Sequence, residues 1–135
     1  MSQQARTAGS KLEGSCACGA VKVSVNGETM NGICLELQGQ PKSFTTRSSN
    51  NYDVNRWFCS ECGSGTHLTM PDPSMMGLMG GLFPPGSIAP PTKELFCKNR
   101  ESWEKSYGEN VRECDEQPNW EAEAAEREKA AQAQT

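Results

Sequence analysis

The sequence predicts a small all-β domain held by a metal staple, with a helical or disordered C-terminal tail. Three observations predict it. Short runs of apolar and β-branched residues recur along the first hundred residues, separated by Gly, Pro and Asn turns. Only 35% of the 135 residues are hydrophobic, so an apolar core alone is thin, and small chains of that kind usually rely on disulfides or a metal. Two closely spaced cysteine pairs, among seven cysteines in all, can supply that staple.

Residues 1–13 are polar and small and read as a disordered leader. The domain then runs over residues 14–104. Ala20-Val21-Lys22-Val23-Ser24-Val25 alternates apolar and polar, as a half-buried strand does, and Asn26-Gly27 ends it with a turn signal. Ile33-Cys34-Leu35-Glu36-Leu37 is a second strand, closed by Gly39-Gln40-Pro41. A third is predicted over 42–47, a fourth over 54–58 and a fifth over 67–70. The Met- and Gly-rich stretch 75–83 reads as a strand and turn in which Met fills core gaps. Glu94-Leu95-Phe96-Cys97 is the last strand. Residues 105–135 form a polar tail. Its end, 121–134, is rich in Ala, Glu, Arg, Lys and Gln and predicts a helix with Asn119 as its cap. The apolar residues of that helix past Trp120 are alanines, so it is expected to be solvated, with no face to bury.

The net charge is −4 and the pI about 5.0, which does not suggest nucleic acid as a partner. The first residues hold no apolar run of the signal-peptide kind. The longest uncharged stretch, 73–92, is broken by glycines and prolines and cannot form a membrane helix. The expected setting is therefore cytoplasmic and reducing, where closely spaced cysteines are more often metal ligands than disulfides.

Cys16-Ala17-Cys18-Gly19 is a CxC followed by Gly; on extended chain its two sulfurs point to one face. Cys59-Ser60-Glu61-Cys62-Gly63 is a CxxC followed by Gly, the usual half of a zinc ribbon. The glycines allow positive φ and let backbone N–H groups approach the sulfurs. Together Cys16, Cys18, Cys59 and Cys62 suit one tetrahedral structural zinc. The competing readings are a redox CxxC, which usually opens a helix after a βαβ unit, and secreted disulfides. Cys34, Cys97 and Cys114 are isolated in sequence. Cys34 and Cys97 fit buried free thiols on strands, and Cys114 an exposed one. His67 is read as a strand histidine that could neighbour the metal. Trp57 and Phe58 are expected to be core beside the metal. Arg56, Arg100 and Trp103 are expected to form a small anchor, with Arg on an acid and Trp packed at the domain edge. Without a Ser-His-Asp set, a P-loop or paired carboxylates, no metal-free enzyme class is indicated.

Gly14-Ser15-Cys16-Ala17-Cys18-Gly19-Ala20-Val21 resembles the opening of the glutathione-dependent formaldehyde-activating enzyme family, which includes the centromere protein V-like proteins. Gly39-Gln40-Pro41-Lys42-Ser43-Phe44, followed by Arg56-Trp57-Phe58-Cys59-Ser60-Glu61-Cys62-Gly63-Ser64, resembles its central motif. Glu94-Leu95-Phe96-Cys97-Lys98-Asn99-Arg100-Glu101-Ser102-Trp103 resembles its closing strand and Arg-x-x-Trp ending. The resemblance implies an all-β, tent-like zinc fold and a structural zinc on the four cysteines named above. It also implies carbon–sulfur lyase chemistry with glutathione or another small thiol as partner, formaldehyde and glutathione joining as S-hydroxymethylglutathione.

The chain departs from the family in one place. The resemblance implies a second cluster, C-x-C-x-x-C, before the Gly-x-Pro-Lys segment, holding a labile active-site zinc. Here Met30-Asn31-Gly32-Ile33 runs almost directly into Cys34, and one thiolate is too few for a catalytic zinc. The segment reads as deleted in a block, which also predicts an uncovered sheet edge and a less stable domain. Three functions follow: a zinc lyase on a thiol adduct, a non-catalytic zinc or interaction module, and a metal-free thiol protein.

Overall fold

The structure is a computed structural model that describes residues 11–26, 34–72 and 75–134. It divides into two compact units, Met1–Ala89 and Pro90–Thr135. Residues 1–10, read as leader, and residues 27–33, which include most of the expected deletion junction, lie outside the described residues, and β1 begins at Leu12, within the stretch read as leader.

The first unit holds two antiparallel sheets. One has the order β1 (Leu12–Ser15), β2 (Lys22–Asn26), β3 (Cys34–Gln38). The other is a meander of β4 (Lys42–Arg47), β5 (Asp53–Phe58), β6 (Gly65–Thr69) and β7 (Met76–Leu78). The period-2 pattern of β2 does what it predicts: Val23 and Val25 are buried while Lys22 is exposed. Val23 and Val25 pack with Leu82 and Phe83, which a 3₁₀ turn at Gly80–Leu82 delivers, and Leu12, Leu35, Leu78 and Met79 lean against them. Val21, just before β2, is buried instead with Cys16 and Cys59. β2 and the residue before it therefore contribute to two small cores, one apolar and one at the cysteines. The 75–83 stretch forms β7 and the 3₁₀ turn, with Met76 half-buried. A strand missed by the sequence reading, β1, pairs Gly14 with Val23 and closes the first sheet. Its four residues, LEGS, are too short and mixed to show a period.

Two loops of the first unit explain themselves chemically. The β4–β5 turn is held by Arg47, whose guanidinium donates to Asn51 Oδ1 and pairs with Asp53 across the turn. Gly39, which leaves β3, has φ +95°, and a Cβ there would stand 2.3 Å from the Ala20 carbonyl oxygen. That position needs glycine for both conformation and space.

The second unit has a parallel pair, β8 (Lys93–Glu94) and β9 (Arg112–Glu113), and one helix, α1 (Trp120–Ala133). The strand expected over 94–97 stops after Glu94. Phe96 takes a left-handed φ of 57°, and a 3₁₀ turn at Cys97–Asn99 follows. The expected cap is present: Asn119 Oδ1 accepts from the Ala122 N–H. The helix is exposed at most positions and has no apolar face, as expected, but the expectation that it buries nothing is corrected at one residue. Glu123 is 7% exposed and gathers Lys93, Arg112 and Arg127, while the Lys93 ammonium lies 5.8 Å above the Trp120 ring. Apolar periodicity could not reveal it, because a carboxylate and not a hydrophobe is the buried residue. The Arg–Trp anchor is also corrected. Arg100 pairs with Glu94 and Glu113, but Trp103 is 76% exposed and Arg56 donates to the Thr46 hydroxyl.

Candidate metal centre

Two hairpin-like loops, one from each sheet of the first unit, carry the four cysteines. Residues 16–21 join β1 to β2, and residues 59–64 join β5 to β6. Each loop is six residues long and closed the same way: the Cys16 N–H donates to the Val21 carbonyl and the Cys59 N–H to the Ser64 carbonyl, both at 2.9 Å. Each turns back through the glycine after its second cysteine, Gly19 at φ +79° and Gly63 at φ +76°. No atom lies within 4 Å of a Cβ built on either, so these glycines serve conformation and not space.

The loops bring Cys16, Cys18, Cys59 and Cys62 together, with all four sulfurs within 4.8 Å of one another. Cys16 Sγ lies 3.6 Å from Cys18 Sγ, which lies 3.7 Å from Cys59 Sγ. These cysteines are free, and the spacing is far longer than a disulfide. A tetrahedral ion with metal–sulfur bonds of about 2.3 Å has sulfur–sulfur edges of about 3.8 Å. The donor set therefore fits such an ion in number, chemistry and span. Cys16 and Cys59 are buried on Val21, while Cys18 and Cys62 face solvent.

Backbone and hydroxyl donors point at the sulfurs, as they do where thiolate charge must be spread. The Val21 N–H donates to Cys16 Sγ at 3.3 Å and the Glu61 N–H to Cys59 Sγ at 3.4 Å. Ser64 joins the two loops: its Oγ accepts from the Ala17 N–H at 3.2 Å and sits 3.2 Å from Cys62 Sγ. Ser64 had no role in the sequence reading. Its signal was present, a hydroxyl one residue past the Cys-x-x-Cys-Gly, but nothing in the sequence says that it reaches residue 17.

The four thiols do not ionise alike. The Ser64 hydroxyl, then backbone donors, hold Cys62 down at about 5. The Val21 N–H lowers Cys16. Cys18 is pushed up to about 12: the Ala20 N–H favours its thiolate, but the adjacent Cys16 sulfur, burial and the other cysteines outweigh it. Crowded thiolates repel one another, and a bound cation would relieve that by replacing the protons. Cys62 is then the ready nucleophile of the metal-free protein. Its lowered value means that ionised Cys62 stabilises the metal-free fold above its unfolded range and that this contribution fades as pH falls through about 5. In a brief pulse on chelator addition, before the fold opens, iodoacetamide should accordingly label Cys62 first, at a rate nearly flat from pH 8 to 6 and dropping near 5. Added zinc should suppress it. Mass mapping of the labelled peptides checks this; first labelling at Cys18 would contradict it.

His67 lies apart from this group. It is buried, its Nδ1 is 2.9 Å from the Thr66 hydroxyl, its ring stacks on Trp57 at 5.5 Å, and burial pushes its imidazole below the ordinary range. Trp57 is half-buried and donates to the Thr69 hydroxyl, so it supports β5 on β6 more than it fills a core. The Cys34 side chain lies outside the description; Cys97 and Cys114 belong to the second unit, both half-buried. Half-burial corrects the exposed reading of Cys114, and Cys97 sits on a 3₁₀ turn, not a strand. Among the described residues the four-cysteine group is the one set of three or more metal-type ligands. The first unit also has a cavity of about 610 Å³ along β1–β3, lined by Lys11, Glu13, Lys22, Glu36 and the buried, unpartnered Ser24 hydroxyl. The cysteines do not line it.

No helix among the described residues is long and apolar enough to cross a membrane. The sequence model of the glutathione-dependent formaldehyde-activating enzyme family matches residues 33–99. That segment holds Cys59 and Cys62, and Cys16 and Cys18 precede it. No curated protein matches the chain.

Proposed function

We propose that the chain is a zinc-binding domain of the glutathione-dependent formaldehyde-activating enzyme family, whose sequence model matches residues 33–99, and that its four-cysteine site is structural. The observation that carries this is the sulfur tetrahedron itself, with edges of 3.6 and 3.7 Å and backbone N–H groups aimed at its corners. Soft thiolate ligands in tetrahedral array select zinc among the common divalent ions. Four protein thiolates also fill its coordination, leaving no position for water or substrate. The ion's chemistry there is to hold the β1–β2 and β5–β6 loops together, in the tent-like arrangement that the family resemblance implies. The six cysteines whose side chains are described are all free thiols, which suits a reducing, cytoplasmic setting.

The second reading is the family's own chemistry, a carbon–sulfur lyase acting on a thiol adduct such as S-hydroxymethylglutathione. The family match favours it. It needs a metal site with an open position, and the four-cysteine site is closed. Turnover separates the two. Zinc-loaded protein mixed with formaldehyde and glutathione should give no rate above the spontaneous reaction. A rate that scales with protein and disappears on chelation would establish the lyase and defeat the structural reading.

A further inference from the structure

Outside the metal centre, the second unit places two cysteines side by side. The Cys97 N–H donates to the Cys114 carbonyl at 2.9 Å, and the Cys114 N–H donates to the Glu94 carbonyl at 2.9 Å. These bonds continue the β8–β9 pairing into the 3₁₀ turn. Standard bond lengths on either side of the first bond put the two Cα atoms at most about 6.8 Å apart, within the range that a disulfide spans. Both thiols are free and half-buried. Cys97 Sγ is held from two sides, donating to the Glu94 carbonyl at 3.5 Å and accepting from Arg100 Nη2 at 3.4 Å. Arg100 is fixed in turn by Glu94 and Glu113. Neither cysteine has a role in the metal site.

We propose that Cys97 and Cys114 form a reversible disulfide when the protein meets a hydroperoxide, with Cys97 reacting first. In the first step the Cys97 thiolate attacks one peroxide oxygen. The O–O bond breaks, the sulfur is oxidised to sulfenic acid, and hydroxide or alkoxide departs, with Arg100 placed to donate to it. In the second step the Cys114 thiolate attacks the Cys97 sulfur and expels hydroxide. The two protons released by the thiols neutralise the departing anions. Two thiols and one hydrogen peroxide thus give one disulfide and two waters. The bridge closes the segment between the 3₁₀ turn and β9, locking a turn that starts from the left-handed Phe96. A thiol reductant reopens it.

The test treats the full chain as purified with hydrogen peroxide, blocks remaining thiols with N-ethylmaleimide, and maps the peptides by mass. The expected product is a peptide pair joined through Cys97 and Cys114, lost on dithiothreitol treatment. In Cys114→Ser, dimedone should trap sulfenic acid at Cys97, whereas Cys97→Ser should leave Cys114 unmodified at the same peroxide dose. Circular dichroism of both variants confirms that they fold, since serine keeps the size of the side chain. Both thiols recovered as maleimide adducts would overturn the proposal. So would sulfinic or sulfonic acid at Cys97 without the bridge, or a bridge from either cysteine to another partner. The readout does not depend on the metal content of the first unit.

Discussion

Cys59→Ser should abolish metal binding and cooperative unfolding together. Cys59 is 1% exposed, packs on Val21 and Cys16, and receives the Glu61 N–H on its sulfur. Serine would place a poor ligand in that buried corner and leave three thiolates crowded without their shared cation. Among the described residues the apolar cluster of the first unit has only four buried members, Val23, Val25, Leu82 and Phe83, so little apolar burial remains to hold the two sheets. The loss should be about 4 kcal/mol or more, the scale of a removed structural metal. Urea unfolding followed by tryptophan fluorescence, with metal analysis of the same sample, measures both effects. Cys114→Ser, in the other unit, is the control and should leave metal content unchanged. A Cys59→Ser protein that unfolds like the parent would mean that the sheets do not need the metal.

Gly39→Ala should be the next most damaging change, through geometry and not through a ligand. The position has φ +95°, and the new Cβ would meet the Ala20 carbonyl oxygen at 2.3 Å. Backbone would have to move, at a cost of roughly 2–3 kcal/mol for strain and displacement together. The displaced segment is Ala20-Val21, whose Val21 N–H serves Cys16 Sγ. The variant should therefore lose zinc to a chelator faster than the parent, as well as melting lower. Chelator competition and thermal unfolding read the two effects separately. Gly81→Ala, where no atom lies within 4 Å of the new Cβ, should be mild in both.

The parts of the fold that the sequence disclosed are those written in local chemistry. β2 follows from Val21, Val23 and Val25 at period two, α1 from its composition and Asn119, and the grouping of the four cysteines from the Cys-x-Cys-Gly and Cys-x-x-Cys-Gly spacing. What stayed hidden depends on distant partners. β1 forms because β2 offers it a template, not because LEGS is a strand by itself. Ser64 matters because the loops meet, which puts its hydroxyl on Ala17. Glu123 is buried because three cations surround it, and a hydrophobicity pattern has no way to mark a buried carboxylate. Trp103 taught the opposite lesson, since a large aromatic near an arginine is not thereby packed.

The central claim is that one closed zinc site organises the first unit. Elemental analysis of protein purified without added metal tests it most directly. The account predicts one zinc per chain, released together with loss of the folded signal when a strong chelator is added. Protein that is folded and free of zinc, or that carries two zinc ions per chain, would contradict it.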